Sequence, residues 1–313
     1  MLIVSNQEQT LLQNGHLTCF RGEYSIIKAS GATIRDYLQG QITQEISQLT
    51  KGHGIYAAIL TPQGKSVSDL HIVSGHDQEL IIIVRKDYAE TLVARLRQFS
   101  LGHEVRVGIV DALKLISIQG SRCDDLLQNL NLPVPEKAYL STSSVTGKET
   151  FIIRMAEAAS SGVWVVTSAF ESMLINCEPV VDEAVIHAAR IVMGIPTYGI
   201  DWSEKVFPLN ANLIEFEGVN FEKGCYVGQE VTSRMQWRGG IKKRLYRIQL
   251  ESFPIQLPSP LSTTVEVGSV LSAAMKGEIV FGIAHLPIEL AESGTPFIDA
   301  EGDAVEIIEA CHA

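Results

Sequence analysis

Apolar positions follow two rhythms along the first three quarters of the chain. Ile34, Tyr37 and Leu38 recur at helical spacing behind Ala-Ser-Gly, predicting a helix in IRDYLQGQI. Ile55–Leu60 and Asp69–Val73 read as strands, and TPQGKS between them supplies the Pro and Gly of a hairpin tip. ELIIIV, from Glu79, is apolar at every position and predicts a strand buried on both faces. Asp87, with Glu90 three residues later, predicts an N-cap for a helix carrying Leu92, Leu96 and Phe99. Val105, Val107 and Ile109 alternate, and LKLISIQ follows. Ser121 and Asp124 open a short helix with Leu126, Leu127 and Leu130. Phe151, Ile153 and Met155 alternate again, predicting a strand that pairs with GVWVVTS. Asp182 begins a helix through Val185, Ala189 and Val192 that stops at Gly194 and Pro196.

After about Gly240 short strands dominate: Leu245–Leu250, Val265–Ser272, Glu278–His285 and Val305–Ile308. Pro254, Pro258, Pro260, Gly268, Gly277 and Gly302 punctuate them. The pattern is α+β, with a helix-and-strand region over 1–240 and a small antiparallel barrel or sandwich over 241–313.

Composition narrows the function classes. The 313 residues carry 25 Lys and Arg against 36 Asp and Glu, a net charge of −11, which argues against nonspecific wrapping of nucleic acid or an anionic membrane. Hydrophobic residues make up 46%, enough for sizeable cores. No apolar run approaches the ~20 residues of a membrane span, and the N-terminus lacks a signal-peptide pattern. A cytoplasmic location is expected. The five cysteines (19, 123, 177, 225, 311) form no C-x-x-C pair, so neither a disulfide scaffold nor a local metal site is expected. His53, His71 and His76 fit no single-helix metal site, and P-loop, dinucleotide, G-x-S-x-G and H-E-x-x-H signatures are absent.

Chemistry concentrates in Phe221-Glu-Lys-Gly-Cys-Tyr-Val-Gly-Gln-Glu-Val-Thr-Ser-Arg234. A helix starting near Gly228 would put Cys225 just before its N-terminus, beside Lys223 and Arg234. Such a cysteine is either a reactive thiol or a small residue filling space beneath the helix. From Val231 to Leu250 no acidic residue occurs, while Arg234, Arg238, Lys242, Lys243, Arg244 and Arg247 do, with Trp237 and Tyr246 among them. This strip reads as an anion site, a single-stranded nucleic-acid path, or a solvated strand edge. Upstream, Asp201, Asn210, Asn212 and Glu215 suit either the edge of a heterocycle or turns and caps. Asp69 stands at a predicted strand start, where turn residues are common.

Lys223-Gly-Cys-Tyr-Val-Gly-Gln-Glu230 with Arg234 resembles the signature of the YgfZ family. These are folate-binding proteins related to the T protein of the glycine cleavage system, and they act in iron–sulfur protein assembly or repair. LQGQITQEI, TPQGKSVSDL, RIVMGIPTYGID and KKRLYRIQL occur in the matching order, so the resemblance covers nearly the whole chain. It implies two ferredoxin-like α+β subdomains and a C-terminal antiparallel β-barrel around a central folate channel. The implied cofactor is tetrahydrofolate or a one-carbon derivative. The implied partners are iron–sulfur client proteins or assembly machinery, with no membrane and no expected nucleic acid.

The resemblance further implies that Asp69 lies near the pterin or one-carbon unit and that Cys225 is the reactive group at the pocket mouth. Arg190 and Glu215 would order the pocket, Glu215 accepting from the pterin amine. Lys223, Arg234 and Arg238 would complete the cofactor contacts, the arginines drawing in the glutamate tail. T proteins carry Asp-Asp where this chain has Ser68-Asp69, and Arg-x-Glu where it has Arg190 and Val192. Those departures favour the YgfZ reading over its enzyme alternative, a folate-dependent aminomethyltransferase or demethylase.

Overall fold

The structure, a computed structural model, describes residues 1–76, 78–145 and 149–313. Two five-stranded sheets face each other. The first runs, in spatial order, Ile55–Leu60, Ser66–Ser74, Leu80–Arg85, Tyr24–Ser30, Arg106–Ile109. The second runs Leu17–Phe20, Lys114–Gln119, Gly162–Thr167, Thr150–Arg154, Thr142–Ser144.

Strand periodicity decides what each residue meets. In the ELIIIV strand, Leu80, Ile82 and Val84 face the helices Ile34–Gln39 and Lys86–Gln98, while Ile81 and Ile83 face the space between the sheets. In the second sheet, Val163 and Val165 pack with the helices Cys123–Asn129 and Phe170–Asn176, while Trp164 and Val166 point back into the shared core. The helix Glu183–Met193 buries Ile186, Ala189 and Val192 in that same central core. The helix expected to begin at Asp87 is instead preceded by Arg85, with Asp87 in its first turn and no side-chain cap.

The C-terminal strands close into a six-stranded antiparallel barrel between Lys243 and Ala310. Its spatial order is Glu266–Lys276, Ser259–Ser262, Phe297–Ile298, Ala304–Ala310, Lys243–Leu250, Ile279–Pro287, which pairs back onto Glu266–Lys276. Closure leaves no free edge among these six. One strand comes from the other end of the chain: Leu2–Val4 pairs in parallel with Ala274–Lys276. The expected α+β architecture with a C-terminal barrel is the architecture found. No helix among the described residues is long and apolar enough to cross a membrane.

Candidate functional site

A cavity of about 420 Å³ opens between the two sheets, walled also by the 195–197 segment and by Trp202, Ala211 and Phe216. That is within the usual size range for a small-molecule site. Of the seven residues singled out from the sequence, Asp69 lines it.

Asp69 and His71 share one face of the strand Ser66–Ser74, the face that turns Val73 into the central core. Across the hairpin Tyr56 stands in register with His71. The Tyr56 hydroxyl donates to Asp69 Oδ2 at 2.9 Å. Burial pushes the Asp69 carboxyl up to about 6, the Tyr56 hydrogen bond only partly opposing it. Burial pushes the His71 imidazole down to about 4, so it is neutral near pH 7.

Ring contacts then bridge the sheets. Tyr56 and His71 have centroids 4.7 Å apart, His71 meets Trp164 edge-on at 5.0 Å, and Trp164 meets Tyr24 at 5.2 Å. All four line the cavity.

A second carboxyl, Glu157, enters from the hairpin between Arg154 and Gly162. The Gln119 side chain pins this turn, donating to Met155 O at 2.8 Å and accepting from the Glu157 N–H at 3.0 Å. Gly162 makes room, since a Cβ there would stand 2.1 Å from Gln119 Oε1. Glu157 Oε1 accepts from Arg21, from the Ser117 hydroxyl at 2.7 Å and from Trp164 Nε1 at 2.8 Å. Burial alone would raise the Glu157 pKa; the Arg21 charge and these hydrogen bonds outweigh it and hold the carboxyl below its usual range. Three side-chain carboxyls therefore line the cavity: Asp124, paired with Arg154 at 2.8 Å, and two with opposite shifts, Glu157 held toward the anion and Asp69 toward keeping a proton.

The remaining candidates sit elsewhere. Arg190 is 1% exposed and ion-paired to Asp201 at 2.7 Å; it also donates to Ile195 O at 2.9 Å. Asp201 accepts in turn from the Thr197 N–H and the Ser272 hydroxyl. Arg190 thus fixes the 195–197 wall and ties it to the barrel, without lining the cavity itself. Glu215 is ion-paired with Arg244 at 3.0 Å and lies off the cavity. Val192 is buried core, and Ser68 turns its hydroxyl onto Asp69 O at 2.7 Å, so neither supplies the T-protein carboxylate.

The glycine-rich motif forms a separate surface feature. Gly228, at φ +85°, precedes the helix Gln229–Trp237. A Cβ on Gly228 would stand 2.7 Å from Thr61 O, and one on Gly64 (φ +75°) 2.8 Å from Val231 Cβ. Both glycines are needed for the helix start to dock on the TPQGK tip.

Lys223 is 6% exposed and donates to the carbonyls of Gln39, Ile42 and Gln44 at 2.7–2.8 Å. All three ammonium donors are used, so it anchors the loop and cannot also reach for a cofactor tail. Tyr226, two positions before Gly228, is buried in the central core. Between these anchors Gly224 and Cys225 are pressed outward, and the thiol is exposed rather than packed as filler. It does not line the cavity.

The basic strip is largely spent internally. Arg234 pairs with Glu230 at 2.5 Å, Lys243 donates to Val267 O, Arg244 pairs with Glu215, and Arg247 pairs with Glu309 at 3.1 Å. Arg238 and Lys242 are exposed.

Sequence reasoning missed Glu157, Arg21, Tyr56, Tyr24 and Trp164, and it left His71 unassigned. One signal was available: Asp69 and His71 stand at i and i+2 on the core-facing side of an otherwise apolar strand.

No family model matches the chain. A tRNA-modifying protein YgfZ from Hamiltonella defensa is 28% identical over 233 residues, covering 72% of this chain and 67% of that protein. The protein of the same name from Escherichia coli O157:H7 is 27% identical over 232 residues, covering 72% and 69%. Among solved structures, the glycine cleavage system aminomethyltransferase T from Bartonella henselae superposes with a TM-score of 0.85. At 17% identity it covers 98% of this chain and 88% of that one. The chain is a homologue of the YgfZ proteins, built on the fold of aminomethyltransferase T.

Proposed function

We propose that this protein binds tetrahydrofolate or a one-carbon derivative in the central cavity and serves the assembly or repair of iron–sulfur enzymes. The observation that carries the reading is the cavity wall. An aromatic row spanning two sheets suits a flat heterocycle, and two carboxyls whose pKa values are shifted in opposite directions suit its N–H groups and a reacting proton. The homology to YgfZ proteins supports the same choice. The T-protein fold does not by itself bring aminomethyl transfer, and Ser68 withholds the second carboxylate of the T-protein pair.

In this reading Asp69 exchanges a proton near the bound one-carbon unit. Arg190 acts at one remove, by holding the 195–197 wall. Cys225 works outside the cavity, as an exposed thiol on an anchored loop facing a partner protein. The relatives' names tie them to tRNA modification, which fits clients that are iron–sulfur enzymes modifying tRNA. The site of action in this reading is the cytoplasm.

The test is rescue of a bacterial strain lacking its own YgfZ. Expression of this chain should restore iron–sulfur enzyme activity and the tRNA modifications that depend on it. Unchanged defects, with the protein present and folded, would reject the iron–sulfur role.

A further inference from the structure

Glu157 has a second oxygen that the protein does not use. Its three donors, from Arg21, Ser117 and Trp164, all converge on Oε1. Oε2 has no hydrogen-bond partner among the described residues, although Glu157 is 4% exposed and lines the cavity. Oε2 is not one of the oxygens closed off inside the protein without a partner; it is open to the cavity, where an incoming donor can reach it. Burial opposes ionisation, but the Arg21 charge and the hydrogen bonds on Oε1 outweigh it, so the open oxygen is presented as an acceptor.

Every neighbour of Glu157 is fixed. Arg21 has a fully buried side chain and is also bound to Glu23 at 2.6 Å. Gln119 holds the turn, and Trp164 is wedged between His71 and Tyr24. The free oxygen is therefore preorganised beside the aromatic row, where a flat ring would place its edge. Of the cavity's other side-chain carboxyls, Asp69 already accepts from Tyr56 and holds its proton more readily, and Asp124 is paired with Arg154 at 2.8 Å. Glu215, the carboxylate that the sequence suggested for the pterin amine, is paired with Arg244 off the cavity.

We propose that Glu157 Oε2 is the group that selects the cavity's ligand, by accepting hydrogen bonds from an exocyclic amino group on a flat heteroaromatic ring. This rests on the folate reading and assigns its ring-reading contact to a residue of the second sheet. A ring offering a carbonyl in place of that amino group would set two acceptors against each other. Sites built to pair a donor reject the analogue lacking it strongly.

The experiment uses the wild-type protein and two probes, so no variant has to fold. Calorimetry compares 5-formyltetrahydrofolate with its counterpart in which the 2-amino group is replaced by a carbonyl oxygen. The expected result is binding of the first and at least about tenfold weaker binding of the second, from the loss of a hydrogen bond to a charged group. Equal affinities would overturn the assignment of Glu157 and leave the folate reading standing. No heat from either probe at millimolar concentration would overturn the folate reading itself. Glu157→Gln adds a second readout if its melting temperature shows that it folds. An amide there presents an N–H to the cavity, so the tenfold preference should shrink or reverse; an unchanged preference would count against the proposal.

Discussion

The cavity wall and the Lys223–Gln229 loop solve opposite problems. The wall brings charged and polar groups inward and sets partners against them: Arg21 against Glu157, Tyr56 against Asp69, aromatic rings around a neutral His71. The loop drives anchors inward so that one thiol stays outside: Lys223 into three carbonyls, Tyr226 into the core, Cys225 at the surface. The first arrangement draws on residues spread from position 21 to 164, the second on seven consecutive ones. Burial makes the wall's chemistry depend on partners far along the chain, whereas exposure makes the loop's chemistry depend on its own anchors.

The comparison breaks most sharply at Arg21. Arg21→Ala leaves Glu157 buried and charged without its partner, which should lower stability by about 3–5 kcal/mol. Chemical denaturation should show either that loss or no folded protein; a change within experimental error would mean that the buried pair does not matter. On the other side, Lys223→Met should lower stability by about 1–3 kcal/mol, because three buried carbonyls lose their donors. Proteolysis should then nick the 221–228 loop first, and a loop as protected as in the wild type would contradict the anchoring role.

Much of the fold was legible because it rests on periodicity. The doubly buried ELIIIV strand and the change of composition near residue 240 are both consequences of which faces meet an apolar neighbour. The strand Leu2–Val4 escaped notice, since three residues carry too little pattern and their partner lies some 270 positions away. Of the cavity only Asp69 was legible in the sequence, through the family resemblance, while the contiguous motif that is easiest to read lies outside the cavity. The glycines, Lys223 and Cys225 announced themselves as a motif, although the roles split into anchor and exposed thiol once burial was known. Glu157 carries no local signal. Its environment is made by Arg21, Ser117 and Trp164, and no spacing rule links those positions. The basic strip misled for the same reason: charge counted along the chain ignores Glu215, Glu230 and Glu309, which neutralise it in space.

The wall should also respond to pH through two groups that titrate in opposite senses. Asp69 has a raised folded-state pKa, about 6 against an ordinary value near 4, so its contribution to stability falls as pH rises through that window. His71 has a lowered one, about 4 against 6.5, so its contribution rises over much of the same range. In the wild type the two slopes oppose each other. Asp69→Asn removes the falling one, so the variant should gain stability relative to wild type between about pH 4 and 6, as read by melting temperature. A difference independent of pH would show that Asp69 titrates normally.

The smallest effect on stability is expected at Cys225. An exposed thiol has no packing to lose, so Cys225→Ser should melt within about 0.5 kcal/mol of wild type and bind ligand in the cavity unchanged. It should nevertheless fail to rescue a strain lacking YgfZ. Full rescue by a stable Cys225→Ser protein would remove the thiol from the function and leave the cavity to carry it alone.

The central claim is that the cavity between the sheets is where a reduced folate binds. Ala156 lines that cavity and is partly exposed within it. Titrating 5-formyltetrahydrofolate into wild type and into Ala156→Trp, with melting temperatures measured alongside, places the ligand directly. The account predicts saturable binding to the wild type and its loss in a variant that remains folded but has its cavity filled. Binding of equal strength to both proteins, or to neither, would contradict it.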